Sequence, residues 1–512
     1  MAESDRSADL AVAAVERRLV ALERTGARSL TGQIVELFLE AIAAGELAPG
    51  AKLPPTRRLA TLAGVNQLTA TRCYRRLQTL GAVVSEVGRG TFVRSGAVSA
   101  SESPRTGDSS WQSYMLPAER PGDAVVAEMA RHVEDPRVIP LSVGYPPLDL
   151  LPVEDLRAAA VAAIDRYGAR TFQYGPIEGD NELREELAKL GRIRGLSDDA
   201  DSIIVTTGAR QALTLTARAT LRPGDKVACE SPSFMGIIES LRSAGAEVFP
   251  VPVDSDGLDT DALEQLLRRH EIRMVALQPR LQNPTGADLS PRRRTRLVEL
   301  AVQHGFFILE DGVNGDLRFE GADLGPLRAL APNHVIYLDS LSKTVGPGLR
   351  AGWVAASGPV LDRIAAEKRS DDAHGATLTQ QTTAGYLAGG HYGAQIERAR
   401  ARYRDGRDVL LQALDAELGT LADFTRPAGG GHIWVTLHQP VDDARLYREC
   451  LEAGVSFVPG QAMLVERPRA THMRLSYGLP DAAGLREGAR LLGRTIRMMR
   501  AAAPQRRSLP VT

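Results

Sequence analysis

The chain has 512 residues, 43% of them hydrophobic and 24% charged, with a formal net charge of −1. That composition excludes a mainly disordered, collagen-like or low-complexity protein, and no apolar run is long enough to cross a membrane. The net charge averages a contrast: residues 28–95 hold nine basic and four acidic side chains, or +5, which leaves −6 on the rest and points to a polyanion partner for that segment alone.

Residues 1–27 read as an N-terminal extension, with a short helix over the Ala-, Leu-, Val- and Arg-rich residues 10–27. The opening MAESDRSADL has no basic region followed by an apolar core, so it is not read as a secretory signal. Cys73, Cys229 and Cys450 lie far apart, which fits neither a disulfide framework nor zinc and suits a reducing cytoplasm. From Thr31, apolar residues recur every four positions (Ile34, Phe38, Ile42), predicting a helix that Gly45 ends. Pro54-Pro55 opens a second helix to Leu62, with proline in its first turn, and Gly64 breaks it. Asn66 caps a third helix to about Leu80, whose buried stripe is Ala70, Cys73, Leu77 and Leu80. Two short strands about Gly88-Arg89-Gly90 follow, so residues 28–95 form a winged helix-turn-helix. Residues 96–124 are a small, polar, proline-containing linker. Beyond it, apolar runs at Ile203–Thr207, Lys226–Glu230, Met274–Gln278, Phe306–Glu310 and Val335–Asp339 alternate with helical or loop sequence. They predict an α/β domain over 125–512 with a mostly parallel sheet. The last hundred residues, with strands at His432–Leu437 and Met473–Tyr477, predict a smaller α+β lobe.

In the head, Gln67, Thr69 and Arg72 stand at the start of the third helix, where base edges are read. Arg57, Arg58, Arg75 and Arg76 can meet phosphates. Any one of these arginines could equally belong to a solvated charged face. The segment from GELAPGAKLPPTRRLA through NQLTATRCYRRL to VGRGTFV resembles the GntR-type winged-helix family. That resemblance implies DNA contacts by Arg57, Thr69, Arg72 and wing Gly90. Gln67 stands where the family often carries arginine, which favours adenine over guanine at the base it meets.

In the body, Lys343 follows a strand end, with hydroxyls at Ser340 and Ser342 and a guanidinium at Arg350. Such a set suits a phosphorylated aldehyde: the amine takes the aldehyde, while hydroxyl and guanidinium hold the phosphate. Asp311, at a strand end, can keep a pyridine nitrogen protonated. The amide of Asn283, in the turn Asn283-Pro284-Thr285-Gly286, can donate to a phenolate oxygen. Thr207-Gly208-Ala209-Arg210 joins strand to helix, so its N–H groups can hold phosphate. Phe234 can stack on a ring. Each feature also has a plainer reading: strand cap, turn or core. Together and in this order they resemble the class I/II aminotransferases, fold type I pyridoxal-phosphate enzymes, from about Leu141 to Tyr477.

The resemblance implies that Lys343 carries pyridoxal 5′-phosphate and Asp311 pairs its ring nitrogen. It puts Asn283 on the ring oxygen, Phe234 on the ring face, and Gly208, Ala209, Arg210, Ser340 and Arg350 on the phosphate. Tyr174 matches a tyrosine that reaches a phosphate across a homodimer interface, and Arg474 one that clamps a substrate carboxylate. Head and body together resemble the MocR branch of GntR regulators. The implied function is a cytoplasmic, DNA-binding transcriptional regulator that senses an amine, an amino acid or the cofactor itself. Two rivals are a working aminotransferase with a DNA-binding head and a body that has lost its cofactor. One departure stands out: Asp311-Gly312-Val313-Asn314 lacks the family's tyrosine two or three residues after the aspartate. Asn314 is the expected weak substitute unless the loop brings Tyr337 there.

Overall fold

The computed structural model describes residues 15, 18–20, 30–79, 82–86, 90–94, 135–466 and 470–502. The chain divides into two compact units, 1–119 and 120–512. The expected linker, Leu80, the wing turn Gly88-Arg89 and most of residues 1–27 lie outside the described residues.

In the first unit the helices are Leu30–Ala43, Thr56–Ala63 and Gln67–Thr79, followed by an antiparallel pair, Val83–Glu86 and Gly90–Val93. The second helix begins after both prolines rather than on them. Pro55 holds an extended ψ of 148° and forms the cap, and its ring bars the helical conformation from Pro54. Gly64 closes that helix at φ 63°, a left-handed turn that glycine enters without steric cost. Asn66 Oδ1 accepts the Thr69 N–H at 2.7 Å and so satisfies one orphan donor of the third helix. The core gathers Ile34, Phe38, Leu59, Ala70, Cys73, Leu77 and Val93, and the helical residues Val15 and Leu19 of the N-terminal extension join it.

The second unit is built on an eight-stranded sheet. Its order is Ile203–Thr206, Gly352–Ala355, Val335–Ser340, Phe307–Asp311, Ile272–Leu277, Lys226–Ser231, Glu247–Asp254 and Gly257–Leu258. The central pairings are parallel, and antiparallel pairings flank them at both sides. The five expected strands all form, within a residue or two at each end, because continuous apolar runs are the mark of strands covered on both faces. A four-stranded antiparallel sheet (Ala422–Phe424, His432–Leu437, His472–Ser476 and Val458–Pro459) forms the C-terminal lobe. Helices His391–Glu417 and Ala482–Ala502 share its core, through Tyr403, Leu410, Leu492 and Ile496 against Ile433, Val435 and Leu475. Among the described residues no helix is long and apolar enough to cross a membrane, and no His, Cys, Asp and Glu cluster could hold a metal ion.

Candidate functional site

The parallel strands present their C-terminal ends to one cavity of about 400 Å³, where open α/β sheets bind ligands. Asp311 is the last residue of its strand and Ser340 of the next, while Gln278 directly follows Ile272–Leu277. The small lobe supplies the opposite wall through His432 and Arg474, on paired strands. Lys343, Asn283, Phe234, Ala209, Arg210 and Arg350 line the same space. The structure thus brings together nearly every body residue singled out in the sequence, over 265 positions of chain from Ala209 to Arg474.

Lys343 is half-buried and donates from Nζ to Gly144 O at 2.7 Å. Burial, and then the nearby Arg474 charge, lower its pKa from 10.5 to about 8, against the opposing pull of Asp311. Asp311 is raised to about 7, chiefly by burial, although its Oδ1 accepts Val313 N–H at 3.1 Å and its Oδ2 accepts Gln278 Nε2 at 2.9 Å. A carboxylate so desolvated gains most from a cationic partner. Asn283 Oδ1 accepts from Arg474 Nη1 at 3.2 Å, and Arg474 Nη2 donates to Ser142 O at 2.8 Å. Arg474 Nε is buried without a partner, and burial lowers the guanidinium to about 10. A buried cation with only neutral acceptors is a ready receptor for an anionic group.

At the other end of the cavity, Gly208 caps helix Ala209–Thr220 at φ 108°. A β-carbon there would lie 3.1 Å from Arg350 Nη2, so the guanidinium sits against the helix N-terminus. Ser340 Oγ is 2.8 Å from Ser342 Oγ and donates to Ala351 O at 2.9 Å. Phe234 caps helix Met235–Ser243 and stands half-buried at the cavity, with Arg210 over its ring. The set matches pyridoxal phosphate: an amine of lowered pKa, a desolvated carboxylate, an aromatic face, and guanidinium with backbone N–H groups for a phosphate.

Three expectations need correction or completion. The Asn314 amide does not face a ring oxygen freely: Nδ2 donates to Leu281 O at 3.0 Å, holding a residue that itself sits at φ 49°. Tyr337 does not fill the place either. It is fully buried, outside the cavity lining, and donates to Asp339 Oδ2 at 2.5 Å. Tyr174 is 86% exposed, its ring edge-on to His374 at 4.8 Å, so a single chain does not bring it to the cavity.

Gln278, His432 and Tyr145 also line the cavity, the Tyr145 ring centroid 5.7 Å from Lys343 Nζ, and are not legible as site residues in the sequence. Gln278 donates to Asp311 and accepts Asn283 N–H at 3.0 Å through Oε1, so it fixes two candidate cofactor contacts at once. Its signal was a polar residue closing an apolar strand. His432 lies beside Lys343: a β-carbon on Gly144 would be 3.4 Å from His432 Nε2 and 3.5 Å from Lys343 Nζ. Burial, with Arg474 and Lys343 adding to it, drives this imidazole well below its ordinary pKa and keeps it neutral.

In the head, Arg57, Arg58, Gln67, Arg72, Arg75 and Arg76 are exposed and Thr69 is half-buried. Gly90 has φ 123°, a backbone conformation that side chains disfavour and that favours glycine at the wing.

Residues 136–491 match the family model of class I and II aminotransferases, and residues 30–93 match that of bacterial regulatory proteins of the gntR family. The chain is 32% identical over 379 residues to aromatic-amino-acid aminotransferase 1 of Thermococcus litoralis, covering 73% of this chain and 91% of the relative. It is 29% identical over 480 residues to the HTH-type transcriptional regulator TauR of Rhodobacter capsulatus, covering 92% and 97%. Among solved structures it is similar to LysN, alpha-aminoadipate aminotransferase of Thermus thermophilus, complexed with N-(5′-phosphopyridoxyl)-L-leucine. The TM-score is 0.68 at 31% identity, over 75% of this chain and all of that one.

Proposed function

Since the chain belongs to the class I and II aminotransferases and joins to that body a gntR-family head, we propose that it is a pyridoxal-phosphate-dependent transcriptional regulator. The head binds operator DNA, and the body senses an amine, an amino acid or the cofactor. The observation that carries this reading is that both halves keep their working surfaces in one chain. The head exposes a basic helix, and the body keeps Lys343, Asp311 and Arg474 around one cavity. Similarity to TauR, named as a regulator, spans both halves. The setting is the cytoplasm.

When bound, pyridoxal phosphate supplies an aldehyde that takes up amines and a ring that withdraws electrons. In this reading Lys343 offers the amine. Asp311, held by Gln278, keeps the ring nitrogen's proton in place, and Asn283 meets the ring oxygen. Phe234 covers the ring face. Gly208, Ala209 and Arg210 at the helix N-terminus, with Ser340 and Arg350, hold the phosphate. Arg474 binds a carboxylate of the effector. Tyr174 completes the phosphate site from a second copy, so the working form is a homodimer. An effector that competes for the place of Lys343 shifts the body between conformers if it binds them unequally, and so alters operator binding.

The intact Lys343, Asp311 and Arg474 also suit an enzyme. The commitment of the Asn314 amide to Leu281 O, and of the Tyr337 hydroxyl to Asp339, favours the sensor, because neither residue offers its donor in place of the family tyrosine. The test follows the visible absorbance of the loaded protein while a panel of amines and amino acids is added, with and without an oxo acid. A spectral response without sustained turnover supports the sensor. Sustained turnover supports the enzyme.

A further inference from the structure

The third helix of the head, Gln67–Thr79, is amphipathic in an unusual way. Its buried stripe is Ala70, Cys73, Tyr74 and Leu77. At 100° per residue, Leu68 projects almost directly opposite that stripe. It is 62% exposed. Its neighbours one and two turns along the same face are Thr71, Arg72 and Arg75, and Gln67 precedes it. The centre of a solvent face that otherwise carries hydroxyl, amide and guanidinium groups is therefore a bare leucine. No local structural need explains it: the helix is already capped by Asn66, and the core closes without Leu68.

We propose that Leu68 is a specificity-determining residue that packs on the 5-methyl group of a thymine in the major groove, at the centre of the operator half-site. The proposal rests on the reading of the head as a DNA-binding module. Arg72 and Arg75, one and two turns beyond Leu68 on the same face, supply the positive charge that brings the helix to the phosphates. Gln67 can read an adjacent adenine by two hydrogen bonds. In the major groove the only apolar group a base presents is the thymine methyl, so an isolated apolar side chain at the centre of a reading face has one matching feature. A helix N-terminus enters the groove with its first residues nearest the bases, and Leu68 is the second residue of this one.

The test uses the full chain and a duplex selected for binding from a randomised pool. Each thymine is replaced in turn by deoxyuridine, which removes only the methyl group. Affinities are measured by fluorescence anisotropy for the unaltered protein and for Leu68→Ala. Leu68 is exposed, so the variant is expected to fold, and equal Tm values confirm it. The expected result is one thymine in each half-site whose replacement weakens the unaltered protein about fourfold, the burial of one methyl group. Leu68→Ala should bind the thymine duplex about as weakly and be indifferent to the same replacement. If no thymine shows this sensitivity, or if Leu68→Ala keeps it, the assignment of Leu68 is overturned while DNA binding by the head stands. If the pool yields no preferred sequence at all, the reading of the head falls, and this assignment with it.

Discussion

A lysine that must react near neutral pH needs to be uncharged there, and the structure says how Lys343 manages it. At pH 7.5 an ordinary lysine of pKa 10.5 is neutral in about one molecule per thousand, whereas one at about 8 is neutral in about a quarter. Burial is the larger cause, and Arg474 adds to it, while Asp311 opposes both. The perturbations follow with opposite signs. Arg474→Gln removes a cation, so the pKa of Lys343 should rise toward 10.5 and less of it should be neutral at pH 7.5. Asp311→Asn removes an anion, so the pKa should fall below that of the unaltered protein. The assay treats cofactor-free protein with a trace of an amine-acylating reagent across pH 6–11. Mass spectrometry then follows labelling of the Lys343 peptide relative to denatured protein. Labelling should rise with pH to a midpoint near 8, later in Arg474→Gln and earlier in Asp311→Asn. A midpoint near 10.5 in the unaltered protein, or shifts of the same sign in the two variants, would refute the electrostatic account.

Lys343→Ala should abolish covalent capture of pyridoxal phosphate, seen as loss of the visible band fixed by borohydride, while circular dichroism stays unchanged. Arg72→Ala and Arg57→Ala should each weaken operator binding, by about 1–3 kcal/mol if the lost contact reads a base, and a logarithmic plot of affinity against salt should be steeply negative. A fragment beginning near residue 125 should bind cofactor but no operator, by absorbance and gel shift. Asn314→Tyr, despite restoring the phenol of the family, should lower Tm. It strips the buried Leu281 carbonyl of its donor, at about 1–3 kcal/mol.

The sequence carried the strands and the head helices well because their determinants are local. Apolar runs such as Val335–Leu338 and the Asn66 cap act on their own neighbours in the chain. Lys343, Asp311 and the turn at Asn283 were legible for the same reason, each sitting at a strand end or turn that announces itself. What stayed hidden depends on distant segments. His432 joins the site because its strand pairs with that of Arg474 and faces Gly144, nearly three hundred residues away. Gln278 matters because two partners, Asp311 and Asn283, converge on it. Asn314 looked like a spare donor until the fold set it against Leu281, a residue in left-handed backbone whose carbonyl needs a partner. Such competition for one amide cannot be read from spacing.

The most direct test of the central claim couples the two halves in one experiment. Anisotropy of labelled operator is titrated with full-length protein, cofactor-loaded, in the presence and absence of each amine or amino acid that alters the visible band. Lys343→Ala serves as control. The account predicts that a ligand changing the band also changes operator affinity, and that Lys343→Ala loses this response while still binding DNA. Operator affinity indifferent to every such ligand, together with sustained amino-group transfer at ordinary aminotransferase rates, would contradict it.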